Sequence, residues 1–110
     1  MNANEIKSGE DTANINAIAE LLLAAGPVFS GGSDESARDA AREWDGCDFT
    51  AEGVRQWVAA EVWEPSVANE LDAAGVKASK IVAAVGSAAI YEACNGDVSV
   101  AKLIEAYRNA

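Results

Sequence analysis

The chain of 110 residues contains no histidine and only two cysteines. Histidine is a frequent zinc ligand and the usual base beside a catalytic nucleophile, so both kinds of site lack a main component. Cys47 and Cys94 match no metal-binding spacing. We expect two free thiols without a catalytic role, with a disulfide as the alternative. No metal and no cofactor are expected.

Basic residues are also scarce. Eight Lys and Arg accompany eighteen Asp and Glu, which gives a net charge of −10. Direct binding of DNA or RNA is not expected, because Lys and Arg must replace the counterions of the phosphates. No apolar run approaches the roughly 18 residues of a membrane span. The N-terminus lacks the basic and apolar regions of a signal peptide, so a cytoplasmic location is expected.

The motifs of common enzymes are missing as well. There is no phosphate-binding glycine loop, no dinucleotide fingerprint and no Ser/His/Asp set. Carboxylates are abundant, but none stands inside an apolar stretch where burial would tune it for acid–base work. The segment Asp45-Gly46-Cys47-Asp48 lacks the alternating ligands of a calcium loop. We therefore expect a function other than catalysis.

What the sequence does contain is an internal repeat of 13 to 14 residues. Three apolar columns share this spacing: Ala41, Val54, Ala68 and Ile81; Trp44, Trp57, Leu71 and Ala84; Phe49, Trp63 and Val76. Such periodicity indicates a structural repeat. Each unit consists of an apolar residue, a capping position, two to three helical turns and a short exit. Helices this short are marginal alone, so the units are expected to stack.

The starts of the repeat helices carry recognisable capping signals. Thr50 is placed to cap one helix, and Phe49 and Val54 have the spacing of a hydrophobic staple. In the next unit, Pro65 takes the first helical position, where its missing N–H costs nothing. The spacing predicts two adjacent short helices at about 51–60 and 65–74.

The pattern of the unit is an aromatic residue or Leu, then Gly-Val or Phe, then Thr or Pro followed by acidic residues and Ala. It resembles short helical repeats of actinobacterial and phage proteins of unassigned function, over residues 41–85. The first unit departs from this pattern, because Asp45-Gly46-Cys47-Asp48 replaces the usual Ala-Gly exit. The resemblance implies an all-helical architecture and no active site.

The fold class predicted for residues 1–110 is all-α, a single-domain compact bundle of about six short helices. The predicted helices end near Ala25, Trp44, Ala60, Ala74, Cys94 and Tyr107. The fifth, at 78–94, is nearly apolar all round and is expected to lie centrally. Residues 1–9 are expected to fray, with Ser8 or Asp11 capping the first helix, and 27–33 are expected to form a flexible connector.

The negative charge is concentrated in one part of the chain. Residues 34–72 contain eleven acidic and three basic side chains. Glu35, Asp39 and Glu43 form one helical stripe, and Arg38 and Arg42 are close enough to pair with some of them. Carboxylates one turn apart lie about 5–6 Å from each other, compared with roughly 7 Å between phosphates along a strand. The stripe can therefore imitate a nucleic acid, or simply keep the protein in solution.

Two functional hypotheses follow. In the first, the chain is a small inhibitor, encoded by a phage or mobile element and anti-CRISPR-like, that occupies a basic nucleic-acid-binding surface of a partner protein. In the second, it is a helical scaffold, adaptor or oligomerising protein whose acidic surface serves solubility only. A monomer or homodimer is expected in either case. The candidate partner-binding residues are Glu35, Asp39, Glu43, Asp45, Asp48, Glu52, Glu61, Trp63 and Glu64.

Overall fold

The computed structural model describes residues 12–110, which form α-helices and no strand. The helices are α1 Thr12–Ala25, α2 Pro27–Ser30, α3 Asp34–Gly46, α4 Ala51–Ala59, α5 Pro65–Ala73, α6 Ala78–Val85, α7 Ser87–Cys94 and α8 Val100–Arg108. The all-α prediction is confirmed, with eight helices in the described range where about six were expected. The expectations for residues 1–9, Ser8 and Asp11 lie outside the described residues.

The chain divides into two compact units, and the boundary falls inside α4. The first unit ends at Arg55 and the second spans Gln56–Ala110. The single domain expected for residues 1–110 stays a prediction. Among residues 12–110, no helix is long and apolar enough to cross a membrane.

In the first unit α1 packs along α3, and α2 contacts both. The buried residues of the two long helices are Ile15, Ile18, Ala19, Leu22, Ala37, Ala41 and Trp44. Small alanines on α3 let the helix backbones approach closely. Trp44 supplies the largest fully buried side chain, and its ring meets Phe49 edge-on at a centroid distance of 5.1 Å. The buried face of α1 stops short of the end of the helix, where Ala25 is exposed.

The segment predicted as a connector, residues 27–33, contains the single helical turn α2. Pro27 opens it at the first helical position, where a fixed φ favours the helix. The turn closes at Gly31, whose left-handed φ of 80° brings its N–H to 2.8 Å from the Pro27 carbonyl oxygen. Four residues are too few to show a helical period, which is why the sequence pattern did not reveal the turn. Ser33 then caps α3 through a reciprocal pair of bonds with Ser36.

The helices α3, α4 and α5 end in the same hydrogen-bonded turn. The exit residue of each, Asp48, Glu61 or Gly75, has a left-handed backbone with φ of 68°, 69° and 83°. The amide of the next residue bonds back to a carbonyl five residues earlier, at 3.2, 2.9 and 3.0 Å: Phe49 to Trp44, Val62 to Trp57 and Val76 to Leu71. This is the Schellman motif, and Gly is its usual left-handed residue.

This turn corrects the third column of the sequence repeat. The residue equivalent to Phe49 and Val76 is Val62, because its amide makes the same bond and its side chain is fully buried. Trp63, the residue predicted for that column, is half-buried and lies in a connection that is one residue longer than the other two. In the sequence repeat, Trp63 was placed opposite Phe49 because both are aromatic. In the structure, the equivalent residue is the one that directly follows the left-handed position, which is Val62.

The first two columns are confirmed. Ala41, Val54, Ala68 and Ile81 have no accessible surface, as have Trp44 and Leu71, and Trp57 is buried. Ala84, the last member of its column, is half-buried. The predicted cap at Thr50 is also confirmed, since the Gly53 N–H donates to Thr50 Oγ1 at 3.2 Å.

The long central helix predicted at 78–94 is wrong. Gly86, with φ of 89° and ψ of 155°, ends α6 and begins α7. Tyr91 on α7 is 57% exposed. In the second unit α8 contacts α5, α6 and α7, so the amphipathic last helix packs against all three. Ser99 caps this helix, because its Oγ accepts from the Lys102 N–H at 3.3 Å.

The exit turn of α4 gives a first testable prediction. A left-handed backbone costs a residue with a Cβ about 1–2 kcal/mol, so Glu61→Gly is expected to raise the free energy of unfolding by about 0.5–1 kcal/mol. Glu61→Ala removes the same carboxylate but keeps the Cβ, and is expected to give no gain. Urea denaturation of the two variants measures the difference. Equal stability of the Gly and Ala variants would contradict the assigned turn.

Candidate functional site

The acidic stripe of α3 lies on the side of the helix opposite its buried face. Glu35, Asp39 and Glu43 are all exposed, one turn apart, while Ala41 and Trp44 are fully buried. The predicted stripe is therefore present on the surface of the first unit. Because α3 is packed against α1, the three carboxylates project from a backbone that is held in place.

The basic residues of α3 compensate this stripe only in part. Arg42 Nη1 pairs with Asp39 Oδ1 at 3.1 Å. Arg38 donates its hydrogen bond to Asn16 Oδ1 on α1, so it is directed to a neutral amide. The side-chain carboxylates of Glu35 and Glu43 make no hydrogen bond or salt bridge with any residue of the described range 12–110. Two of the three carboxylates are thus available to a partner.

Asp45, at the end of α3, has a structural contact. The Asn14 side chain on α1 donates to Asp45 Oδ1 and to the Phe49 carbonyl oxygen, both at 2.9 Å. The Asn14 Oδ1 also accepts from the Ala51 N–H at 3.2 Å. One amide therefore holds the connection between α3 and α4. No sequence signal marked Asn14, because its partners lie more than 30 residues away along the chain.

The remaining predicted contact residues of the first unit lie at the α3–α4 connection and on α4. Asp48 is exposed in the left-handed exit position, and Glu52 forms an exposed ion pair with Arg55. Cys47 adjoins Asp48 as a free thiol. Burial raises its pKa, and the negative charges of Asp48 and Glu43 raise it further. The electrostatic environment of this connection is therefore measurable at one thiol.

The other predicted contact residues belong to the second unit, where the connection from α4 to α5 runs beside α7. Ser87 Oγ donates to Glu61 Oε2 at 3.0 Å. The rings of Trp63 and Tyr91 lie 5.2 Å apart and are inclined by 58°. Trp63, one of the predicted contact residues, is half-buried. The sequence reasoning missed Tyr91, which belongs to the helix at 78–94 that was expected to lie centrally.

Where the connection from α4 to α5 continues along α7, Cys94 is a buried free thiol. Burial raises its pKa, while backbone hydrogen bonds at Glu64 and Trp63 act in the opposite direction. Ser87, Tyr91 and Cys94 are one turn apart on α7, and their contacts follow the order of the connection. This regular pairing fixes the connection on the helix.

The nine predicted contact residues are therefore divided between the two units. Six belong to the first unit and three to the second. Among residues 12–110, no three Cys, Asp or Glu side chains come together in a way that could hold a metal ion. What the arrangement offers chemically is exposed negative charge on ordered helices and, in the second unit, an exposed Tyr91 beside a half-buried Trp63.

No protein-family model matches this sequence, and no curated protein or solved structure is significantly similar to it. The resemblance to short actinobacterial and phage repeats stays a prediction.

The contacts of Asn14 give a second testable prediction. Asn14→Ala removes three hydrogen bonds at a half-buried position, so the free energy of unfolding is expected to fall by about 1–3 kcal/mol. Asn16→Ala on the same helix is the control. It loses one exposed hydrogen bond and is expected to cost less than about 1 kcal/mol. Equal losses in thermal denaturation would contradict the structural role of Asn14.

The surroundings of Cys47 give a third prediction. Since negative charge disfavours the thiolate, the double variant Glu43→Gln, Asp48→Asn is expected to lower the pKa of Cys47. The measurement is the rate of alkylation by iodoacetamide against pH, in a Cys94→Ala background that isolates Cys47. The variant profile should shift to lower pH. An unchanged profile would show that these two carboxylates do not act on the thiol.

Proposed function

We propose that this chain is a non-enzymatic, acidic protein-binding module whose partner presents a basic surface of the kind that binds nucleic acid. The observation that carries the proposal is the exposed stripe of α3. Its backbone is fixed by a buried face, and the side-chain carboxylates of Glu35 and Glu43 make no hydrogen bond or salt bridge among residues 12–110. A cytoplasmic location and a monomeric or homodimeric state belong to the same proposal.

The spacing of the stripe supports a phosphate-like presentation of charge. Successive exposed carboxylates on a helix lie about 5–6 Å apart, so a row of Lys and Arg that follows a nucleic-acid strand can contact several of them. Because the helix is already ordered, binding would not carry the entropy cost of arranging these charges. Opposite charge would also accelerate the encounter and make it sensitive to salt.

Two acidic residues in strained backbone positions also support the proposed function. Asp48 and Glu61 occupy the left-handed exits of α3 and α4, where α5 has Gly75 and where Gly is the default. Residues held in unfavourable backbone conformations concentrate at functional sites. Retaining a carboxylate at two such positions favours a use for the charge beyond solubility.

The inhibitor form of the proposal is that the module competes with nucleic acid for its partner. Its support is the density of exposed carboxylates on α3. A phage or mobile-element source and an anti-CRISPR-like target rest on analogy of size, charge and helicity alone. They remain the narrower form of the proposal.

A scaffold or oligomerising role is the second candidate function. The observation that favours it is exposed apolar surface in the first unit, where Leu23 is 39% and Val28 is 63% exposed. Large apolar side chains in water are a common feature of surfaces that meet another protein. Binding through this surface would show little dependence on salt.

The two candidates are separated by a fourth prediction. Capture of partners from the native host, with and without nuclease, identifies a basic protein, and binding is then measured with the purified partner. Glu35→Lys, Asp39→Lys, Glu43→Lys is expected to weaken binding at low salt by about tenfold or more, since three exposed ion pairs are lost. Added salt should weaken the unmodified complex, and DNA or RNA should compete with it.

The control is a triple variant with the same change of net charge on the second unit, Glu70→Lys, Asp72→Lys, Glu105→Lys, all at exposed positions. It is expected to weaken binding far less. Equal weakening by both variants would indicate a general effect of net charge. Loss of binding in Val28→Ser without any effect of the α3 variant would establish the scaffold function.

A further inference from the structure

The connection from α4 to α5 and the exposed side of α7 together form a second surface of distinct chemistry. We define the aromatic–acidic surface as Glu61, Trp63, Glu64, Tyr91 and Glu92. Tyr91 is 57% exposed, Trp63 is half-buried, and Glu61 and Glu92 are exposed. All five residues belong to the second unit.

The two rings are held in place by their own unit. The turn that ends α4 buries Val62 and bonds its amide to the Trp57 carbonyl oxygen at 2.9 Å, which fixes the backbone just before Trp63. The bond from Ser87 Oγ to Glu61 anchors the same segment to α7. Tyr91 lies one helical turn beyond Ser87, so the contact between the rings at 5.2 Å continues that attachment.

The presence of the accessible Trp63 ring in the connection from α4 to α5 is not explained by the packing of the core. Val62 already fills the buried position of the repeat, and Trp63 is the residue by which this connection is longer than the other two. The exit turns of α3 and α5 proceed without an equivalent residue. Folding therefore does not require a tryptophan there, and its ring presents a face together with Tyr91.

The charge around the rings identifies the chemistry of an occupant. Residues 61–64 and 87–94 contain three carboxylates and no Lys or Arg. Aromatic faces attract cations, and a guanidinium stacks on them better than an ammonium because it is planar and weakly hydrated. A guanidinium can at the same time donate two hydrogen bonds to one carboxylate.

We propose that the aromatic–acidic surface binds an arginine side chain of the partner protein, which stacks on the rings of Trp63 and Tyr91 and pairs with Glu61 or Glu64. The inference rests on the proposed function, since a basic partner supplies the arginine. It names a second contact, in a unit that does not contain α3, and adds Tyr91 and Glu92 to the residues found by sequence reasoning.

The test needs no natural partner. The probe is a capped peptide Gly-Arg-Gly-Arg-Gly, compared with matched peptides that carry lysine or the neutral isostere citrulline. Trp44 and Trp57 are 0% and 4% exposed, so the indole N–H signal of Trp63, assigned by its loss in Trp63→Phe, reports on the surface in NMR titrations. The arginine peptide is expected to shift this signal, the lysine peptide to bind more weakly, and the citrulline peptide not to bind.

Matched variants locate the binding. Tyr91→Ala is expected to weaken the arginine peptide about fivefold, while Tyr91→Phe keeps the ring and should keep the affinity. Glu61→Gln should also weaken binding, whereas Glu70→Gln, an exposed acid on α5, should not. Because Tyr91 is exposed, the variants are expected to stay folded, and the dispersion of the amide spectrum verifies this.

Several results would overturn the inference. They are equal binding of the arginine and citrulline peptides, equal binding of the arginine and lysine peptides, and unchanged affinity in both Tyr91→Ala and Glu61→Gln. Any of these would leave the α3 contact untouched, because that contact is tested by the charge variants of the first unit. Conversely, a partner that ignores the α3 variants but loses affinity with Tyr91→Ala would retain this surface and exclude the stripe.

Discussion

The structure of the repeat depends on one backbone hydrogen bond, made from the amide that follows a left-handed residue to a carbonyl five residues earlier. The carbonyl belongs each time to a buried residue, Trp44, Trp57 or Leu71. The bond therefore ends the helix and reverses the chain at the place where the core side chain is already fixed. Helices of nine residues such as α4 and α5 would be marginal alone. Ending each one on a packed residue couples the turn to the core.

This coupling explains why the period is 13 to 14 residues and not a constant. Two to three helical turns, a left-handed residue and a buried residue make up a unit, and the connection to the next helix absorbs the difference. Where that connection contains Trp63, the next helix begins one residue later. In the second unit α5 and α6 also share α8 as a neighbour. The last helix, which lies outside the repeat, thus supports two of its members.

The sequence alone predicted those features that depend on burial and local capping. Apolar side chains at a regular spacing located the columns of Ala41 and Trp44, and a hydroxyl group before a helix located the cap at Thr50. The sequence did not predict features that depend on backbone hydrogen bonds. The third column was misplaced because Val62 and Trp63 are both apolar, and only the hydrogen bond from the Val62 amide distinguishes them.

Other features lay beyond local reasoning because they join distant residues. The amide of Asn14 contacts residues at the α3–α4 connection, and the pairing of Trp63 with Tyr91 spans two connections and three helices. Gly86 ends α6 inside the segment 78–94, where the apolar composition had predicted one continuous helix. Its left-handed φ with an extended ψ ends the helix whatever the neighbouring side chains prefer.

In the proposed function, the two candidate surfaces would contribute to partner binding through different interactions. The carboxylates of α3 are exposed, so each ion pair contributes little affinity and mainly affects the rate and the salt dependence of association. An arginine stacked on Trp63 and Tyr91 would be partly removed from water, where cation–π contact and hydrogen bonds are stronger. A chain with a thin core of alanine and few aromatic residues has little apolar surface to spare. One of its three tryptophans is nevertheless only half-buried. The acidic residues around Trp63 favour recognition of a cation as the reason for this position.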